Sequence, residues 1–316
     1  MKTLLHSSFL LLNQVMMLMS SSIAGSGRVT HSGFKVLATP NPLLQIRSDG
    51  RRLCGVTAAH RVVCSIYTSD PGSTLTWQAL DRDGIIAVAV NGSSVWVIDD
   101  IYTVSTTTLT PSGTNEPWSS APGWLVDIVT DGMAFAAVGT NNFLFYRNTS
   151  QPAWSGVGSS KSRSVDVIGP NVVSVRADGS LWFNPAKLFP GSNGPFRSIS
   201  SDGTFACATK DTTETVYCIT KDMIVWQPVG GRLSQISVRK GRLFGVGRNG
   251  TLWTTTLKLS TSPDDYYRTL DDQEKADEGT LVQAYLSLVD YAIADVTLKP
   301  LWRVAQHMLC SDRARQ

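Results

Sequence analysis

Between Trp226 and Thr256, apolar and polar residues alternate in four short runs. Leu233-Ser-Gln-Ile-Ser-Val238 keeps the period of two that a half-buried strand requires. Trp226-Gln-Pro-Val precedes it, and Leu243-Phe-Gly-Val246 and Thr251-Leu-Trp-Thr254 follow. The joints are Gly230-Gly231, Lys240-Gly241 and Asn249-Gly250, residues that accept the positive φ of tight hairpin turns. The pattern predicts one four-stranded antiparallel meander.

The unit recurs along the chain. Ile46, Val88, Ile128, Val165, Ile199 and Ile236 share one slot, at intervals of roughly 34–42 residues. An aromatic slot reads Phe34, Trp77, Trp118, Trp154, Phe189 and Trp226, and a fourth-strand slot includes Val63, Leu144, Leu181, Val216 and Leu252. Between the second and third strands stand Asp49-Gly50, Asn91-Gly92, Asp131-Gly132, Pro170-Asn171, Asp202-Gly203 and Lys240-Gly241, nearly all turn formers. Meanders of about 38 residues cannot each bury their own faces, so they must pack on their neighbours. Residues 25–257 are accordingly predicted to form an all-β, six-bladed β-propeller of four-stranded antiparallel blades. If each tryptophan strand is the outer strand of the preceding blade, the lone strand at Phe34 completes the last one. That interlock closes the ring and removes a loose edge.

The two ends read differently. Met1-Lys2, an apolar run from Leu4 to Met19 and small residues up to Ala24 have the layout of a secretory signal peptide over residues 1–24. Asn13-Gln14 interrupts this run, which is too short to span a bilayer comfortably. A secreted protein without a transmembrane span is predicted. From residue 258 to 316 an acidic linker gives way to Leu281, Tyr285, Leu288, Val289, Ala292, Ile293 and Val296 at helical spacing. This amphipathic helical tail is open to three uses: a cap on the propeller, a surface for a partner or membrane, or self-association through Cys310.

Charge and cysteine usage narrow the classes. A formal net charge of +3 leaves a mildly basic body and an acidic tail, short of what a nucleic-acid protein carries. Arg232, Arg239, Lys240, Arg242 and Arg248 cluster in sequence, as a solvated turn surface or as anionic-glycan contacts. Cys54 with Cys64, and Cys207 with Cys218, fall in adjacent predicted strands, within disulfide distance of each other. Neither spacing is a metal pattern, and no cofactor motif occurs. Asn91-Gly-Ser, Asn148-Thr-Ser and Asn249-Gly-Thr are glycosylation sequons in predicted turns.

The unit at 226–254, with its W-x-x-V-x-G, L-x-Q-I-S-V, L-F-G-V and N-G-T-L-W runs, resembles the tectonin repeat. Cys54-Gly55-Val56 with Cys64 is similar to the disulfide-bearing egg lectins of that group. The resemblance implies a six-bladed lectin that binds glycans or lipopolysaccharide on cell or microbial surfaces, methylated sugars among them. Sugar sites pair an aromatic face with fixed hydrogen-bond partners. The candidates are therefore Trp77, Trp118, Trp154, Trp182, Trp226 and Trp253 with Asp49, Asn91, Asp131 and Asp202. Trp77, Trp118, Trp154 and Trp226 are residues of the kind more often used for packing between blades, and Trp182 and Trp253, beside the Asp178-Gly179 and Asn249-Gly250 turns, fit either role.

An enzyme is not expected. Thr68-x-Asp70-x-Gly72-x-Thr74 resembles the Asp-box turn of sialidase blades but occurs once, and in those enzymes it is a structural turn. His31 and His60 sit in no nucleophile or metal motif. The competing class is a non-catalytic protein-interaction propeller, with a glycan hydrolase behind it.

Overall fold

The computed structural model describes residues 28–68, 75–110, 114–148, 150–158, 160–168, 170–184, 187–188, 194–220 and 226–260. The signal-peptide stretch, Asp70, Phe189 and the tail with Cys310 lie outside the described residues. Among those residues every regular element is a strand.

β1 (Arg28–His31) and β2 (Lys35–Leu37) come first. β3 (Leu43–Ser48), β4 (Arg52–Thr57), β5 (Val62–Ile66) and β6 (Gln78–Ala79) form one antiparallel sheet. β7 (Ile85–Asn91), β8 (Ser94–Asp99), β9 (Thr103–Thr108), β10 (Ser119–Thr130), β11 (Ala134–Gly139), β12 (Leu144–Asn148) and β13 (Gln151–Gly156) form a second. The third sheet contains β14 (Ser162–Ile168), β15 (Asn171–Arg176), β16 (Leu181–Asn184) and β17 (Lys187–Leu188). The fourth contains β18 (Phe196–Ser201), β19 (Phe205–Lys210), β20 (Thr215–Thr220) and β21 (Gln227–Arg232). β22 (Gln235–Arg239), β23 (Arg242–Val246) and β24 (Leu252–Ser260) complete the set, joined by β1 and β2.

The inner strands β3, β7, β10, β14, β18 and β22 contact one another in that order, and β22 returns to β3. The fold is an all-β β-propeller. Its hydrogen bonding differs from the six separate four-stranded sheets that the repeat predicts: four sheets are separate blades, and one sheet has seven strands. The cause is β10. Its first half pairs with β9 (Ser119↔Thr106) and its second half with β11 (Thr130↔Phe135), so one continuous strand serves two meanders. The ladder shifts register at Ala121/Trp124 and again at Leu125/Asp127, where the strand bends from one partner to the other.

The apolar slots face the neighbouring sheet. Ile46, Leu53 and Val63 pack with Phe244, Val246 and Leu252, joining the first blade to the last. Cys54 and Cys64 lie directly opposite on β4 and β5, as do Cys207 and Cys218 on β19 and β20. Each pair forms a disulfide, as the pairing of adjacent strands predicts, with Cα atoms 4.1 Å apart.

Closure uses the start of the described chain. β2 pairs with β24 (Lys35↔Thr254, Leu37↔Leu252), and β1 pairs with the far end of the same strand (Arg28↔Ser260, His31↔Leu257). The Phe34 ring lies over Gly231, where an added Cβ would stand 2.9 Å from its Cζ. Gln227 Oε1 accepts the Val29 N–H at 2.9 Å. β24 itself runs on to Ser260, beyond the domain boundary drawn from the sequence at residue 257.

Removing residues 28–37 uncovers the edge of β24 and should convert the protein into a species that associates with rising concentration. Size-exclusion chromatography and thermal unfolding test this: a lower midpoint with oligomers is expected, and an unchanged monomer with an unchanged midpoint contradicts it.

Candidate functional site

In many propellers the central axis is the natural place for a ligand, so its lining comes first. Here it is occupied by side chains from non-adjacent strands. Arg47 on β3 reaches Asp127 on β10, with Nη2 donating to both carboxylate oxygens at 2.9 and 3.1 Å. Arg239, at the end of β22, reaches Asp166 on β14 with Nη1 and Nη2 at 3.0 and 2.8 Å. Arg239 also donates to the carbonyls of Ser201 on β18 and Thr130 on β10. Arg47 donates to the carbonyl of Ile236 on β22. Two guanidinium groups thereby tie together every inner strand except β7.

The pairs are buried, with Asp166 at 1% exposure. Burial opposes ionisation of Asp166, but the charge and hydrogen bonds of Arg239, the Ser200 hydroxyl and the charge of Arg47 outweigh it. Its carboxyl is held below the usual carboxylate range. Burial likewise opposes the charge on Arg239, and the charge and hydrogen bonds of Asp166 overcome it and raise the pKa. Catalysis across the axis would need a free carboxylate with a water or substrate beside it, and Asp127 and Asp166 already accept these donors.

The acidic turn residues form a rim on one face, and they point to the next turn. Asp49 Oδ1 accepts the N–H groups of Arg51 and Arg52, and Oδ2 accepts that of Gly92 at 2.7 Å. Asp202 Oδ1 accepts those of Thr204 and Phe205, and Oδ2 that of Gly241 at 2.6 Å. Asp131 Oδ1 binds the Met133 and Ala134 N–H groups, each at 2.9 Å. The Asn91 amide abuts Gly132, where a Cβ would fall 2.7 Å from its nitrogen. The rim is a staircase of turn-to-turn contacts.

Three of the predicted tryptophans behave alike. The indole N–H groups of Trp77, Trp118 and Trp154 donate to the carbonyls of Ala38, Asp81 and Pro122 at 2.8, 3.1 and 2.9 Å. Their rings pack against three successive inter-sheet clusters. Trp226 is buried 5.9 Å from the Phe196 ring. Trp182 donates to Ser180 Oγ at 2.8 Å and lies against the Arg176 guanidinium. Trp253 stands between Gly245 and Val36 in its sheet and packs on the core. The structure does not bring these six together; Trp77, Trp118 and Trp154 are wedges between sheets, Trp226 and Trp253 pack on one core cluster, and Trp182 stays with its own turn and Arg176.

The basic cluster also disperses. Arg239 is axial, the Lys240 stem covers Gly50, Arg242 bonds the Tyr67 hydroxyl and Arg248 pairs with Glu214 at 3.1 Å. Among the sequons, Asn249 is exposed with its Oδ1 accepting the Thr251 N–H, Asn148 is half-buried on β12, and Asn91 is pressed against Gly132.

The opposite face carries what the sequence did not single out. One loop hydrogen bond recurs there: the carbonyls of His60, Tyr102, Asn142, Gly179, Glu214 and Gly250 accept the N–H groups of Ile85, Leu125, Ser162, Phe196, Leu233 and Leu43. All six acceptors have positive φ. For Tyr102, at φ 66°, this conformation costs about 1–2 kcal/mol relative to glycine. Tyr102 is 43% exposed, Ile101 beside it 71%, and Trp124, opposite Thr103 in the ladder, 74%. These are the large apolar side chains that the fold leaves uncovered on one loop cluster.

No protein-family model matches the chain, and no curated protein matches it. Solved structures that resemble it include the β-propeller domain of Cps50 (Swd1) from Myceliophteria thermophila, at 8% identity and TM-score 0.50, covering 72% of this chain and 100% of that one. The WD40 β-propeller domain of Doa1 is similar at 9% identity and TM-score 0.48, over 72% and 97%. The likeness concerns the propeller fold. No helix among the described residues is long and apolar enough to cross a membrane, and none of their His, Cys, Asp and Glu clusters could hold a metal ion.

Replacing Arg239 by Met strands the Asp166 carboxylate and should cost about 3–5 kcal/mol in urea unfolding, much of it regained in the Arg239→Met/Asp166→Leu double variant. Because the folded Asp166 pKa is depressed, the pair contributes fully above the ordinary aspartate pKa of about 3.9. Its contribution is lost as pH falls from there toward the folded pKa, so acid should destabilise the wild type more steeply than the double variant.

Proposed function

We propose that this protein is a non-catalytic propeller that engages a protein partner through its loop faces. The observation that carries the reading is the internal use of the sugar-binding chemistry. Tryptophans that would stack on a sugar are packed between blades with their indole N–H groups bonded, and the turn aspartates accept backbone N–H groups. Two ion pairs occupy the axis, and their carboxylates, Asp127 and Asp166, are engaged by Arg47 and Arg239 rather than free to act as the acid and base of glycoside hydrolysis. The likeness to the Cps50 (Swd1) β-propeller domain supports the fold and names no partner.

The seven-stranded sheet counts, in this proposal, as two blades joined through β10, making six. The support is the loop hydrogen bond that appears once for each repeat in the sequence, including the two repeats that share β10. Kinship with tectonin repeats is retained as part of the proposal. So is export: two buried disulfides suit an oxidising compartment, in keeping with the signal-like start and the sequons.

A glycan and lipopolysaccharide array on the mature protein tests the main reading. The expected result is no binding beyond background and no cleavage of labelled glycans. Sugar binding that disappears in Trp182→Ala or Trp253→Ala would restore the lectin reading instead.

A further inference from the structure

The recurring loop hydrogen bond fixes corresponding positions at each joint of the exposed loop face, and one joint departs from the rest. The slot of Trp124, just before each inner strand, holds Pro42, Gly84, Lys161, Pro195 and Arg232 elsewhere. The slot of Ile101 holds Ala59, Asn141, Asp178, Thr213 and Asn249. That of Tyr102 holds His60, Asn142, Gly179, Glu214 and Gly250. A single joint between repeats therefore places three large apolar residues where the others have small, polar or turn-forming ones.

Three features of local structure hold them outward. The ladder shifts register between Ala121 and Trp124, and Gly123 inside the shift has φ 129°. Such a bulge re-aims the side chain that follows it. Tyr102 keeps a left-handed backbone that glycine occupies in the loops of Gly179 and Gly250, a strain of the kind found at functional positions. The Tyr102 carbonyl accepts the Leu125 N–H at 3.1 Å, which fixes the loop beside Trp124.

The surroundings are acidic. Asp100 directly precedes Ile101 and donates its N–H to the Gly84 carbonyl, which brings the Asp81-Arg82-Asp83 loop alongside. Arg82 is engaged by Asp99 at 3.3 Å and lies 5.4 Å from the Trp118 ring, and Arg61 is engaged by Asp83 at 2.8 Å. Asp81 and Asp100 have no ion-pair partner among the described residues. An apolar centre with excess carboxylate on one side is complementary to a positively charged apolar segment, and it disfavours an acidic one.

We infer that Ile101, Tyr102 and Trp124, flanked by Asp81 and Asp100, form a docking site for a protein segment that carries a large apolar side chain next to Lys or Arg. The inference rests on the proposed partner-binding function and locates it. Trp124 is the anchor, and the carboxylates select the sign of the partner's charge.

Fluorescence polarisation with labelled octapeptides tests the site, using a central Leu-Trp flanked by Lys/Arg, by Ser/Gly or by Asp/Glu. The wild type should bind the basic set and discriminate against the acidic set by at least about ten-fold. Trp124→Ser should weaken binding by at least about ten-fold, and Asp81→Lys/Asp100→Lys should invert the charge preference without altering the circular dichroism spectrum. The second variant leaves the strand ladder intact, so a folding defect in the first does not decide the outcome. Basic peptides that bind Trp124→Ser and the charge-reversed variant as tightly as the wild type would overturn this site and leave the partner-binding function standing. Failure to bind any peptide set would overturn the site as well. Sugar binding abolished by Trp124→Ser would overturn both, and self-association that is lost in that variant would make the occupant a second copy of this chain and overturn the peptide assignment.

Discussion

Each inner strand of this propeller has one edge that no neighbouring strand covers, and its N–H groups must find acceptors. Side chains from the preceding sheet supply them. Gln235 Oε1 and Ser237 Oγ accept the Ile46 and Ser48 N–H groups at 2.9 and 3.0 Å, and Gln45 Oε1 accepts that of Val88 at 2.8 Å. Ser164 Oγ and Asp166 Oδ2 serve Ile199 and Ser201, and Ser200 Oγ serves Val238. The direction is constant: one sheet's polar side chain caps the next sheet's amide. Where no preceding side chain does so, Asp127 and Asp166 accept the N–H of the residue that follows them.

This constraint explains the rest of the interior. Acceptors at the axis bring negative charge with them, and the two arginines neutralise it. A lone buried carboxylate would be costly, whereas a carboxylate that also accepts an amide and a guanidinium is satisfied. The turn aspartates extend the same device to the rim. Polar residues that look available for a ligand are thus part of the joints between sheets, and on the loop face one joint has large apolar residues, Ile101, Tyr102 and Trp124, in place of turn formers.

Much of the fold was legible in the sequence because its determinants are local. The Ile/Val slot, the Asp-Gly and Asn-Gly turns and the two cysteine pairs each follow from a period or a spacing, and closure by the strand beside Phe34 followed from counting strands. Arg47, Asp127 and Asp166 were not picked out, and Arg239 was read only as part of a basic turn surface, although charges inside alternating strands were a visible signal. Their partners lie 80 and 73 residues away across the axis, and no periodicity encodes such a pairing. The continuity of β10 was hidden because Pro122-Gly123 reads as a break between strands, whereas it is a bend within one. The repeated tryptophans carried two readings, and Trp77, Trp118 and Trp154 take the packing one, each against a cluster between sheets. Trp124 fell outside the aromatic slot, and that departure was the usable signal.

Native-state hydrogen exchange on the inner-strand amides tests the central claim most directly. Ile46, Ser48, Val88, Ile199 and Val238 should exchange only through global unfolding, and Gln235→Leu should release Ile46 selectively while Val88 and Val238 stay protected. Fast exchange at these amides in the wild type, at the rate of an open sheet edge, would contradict the account.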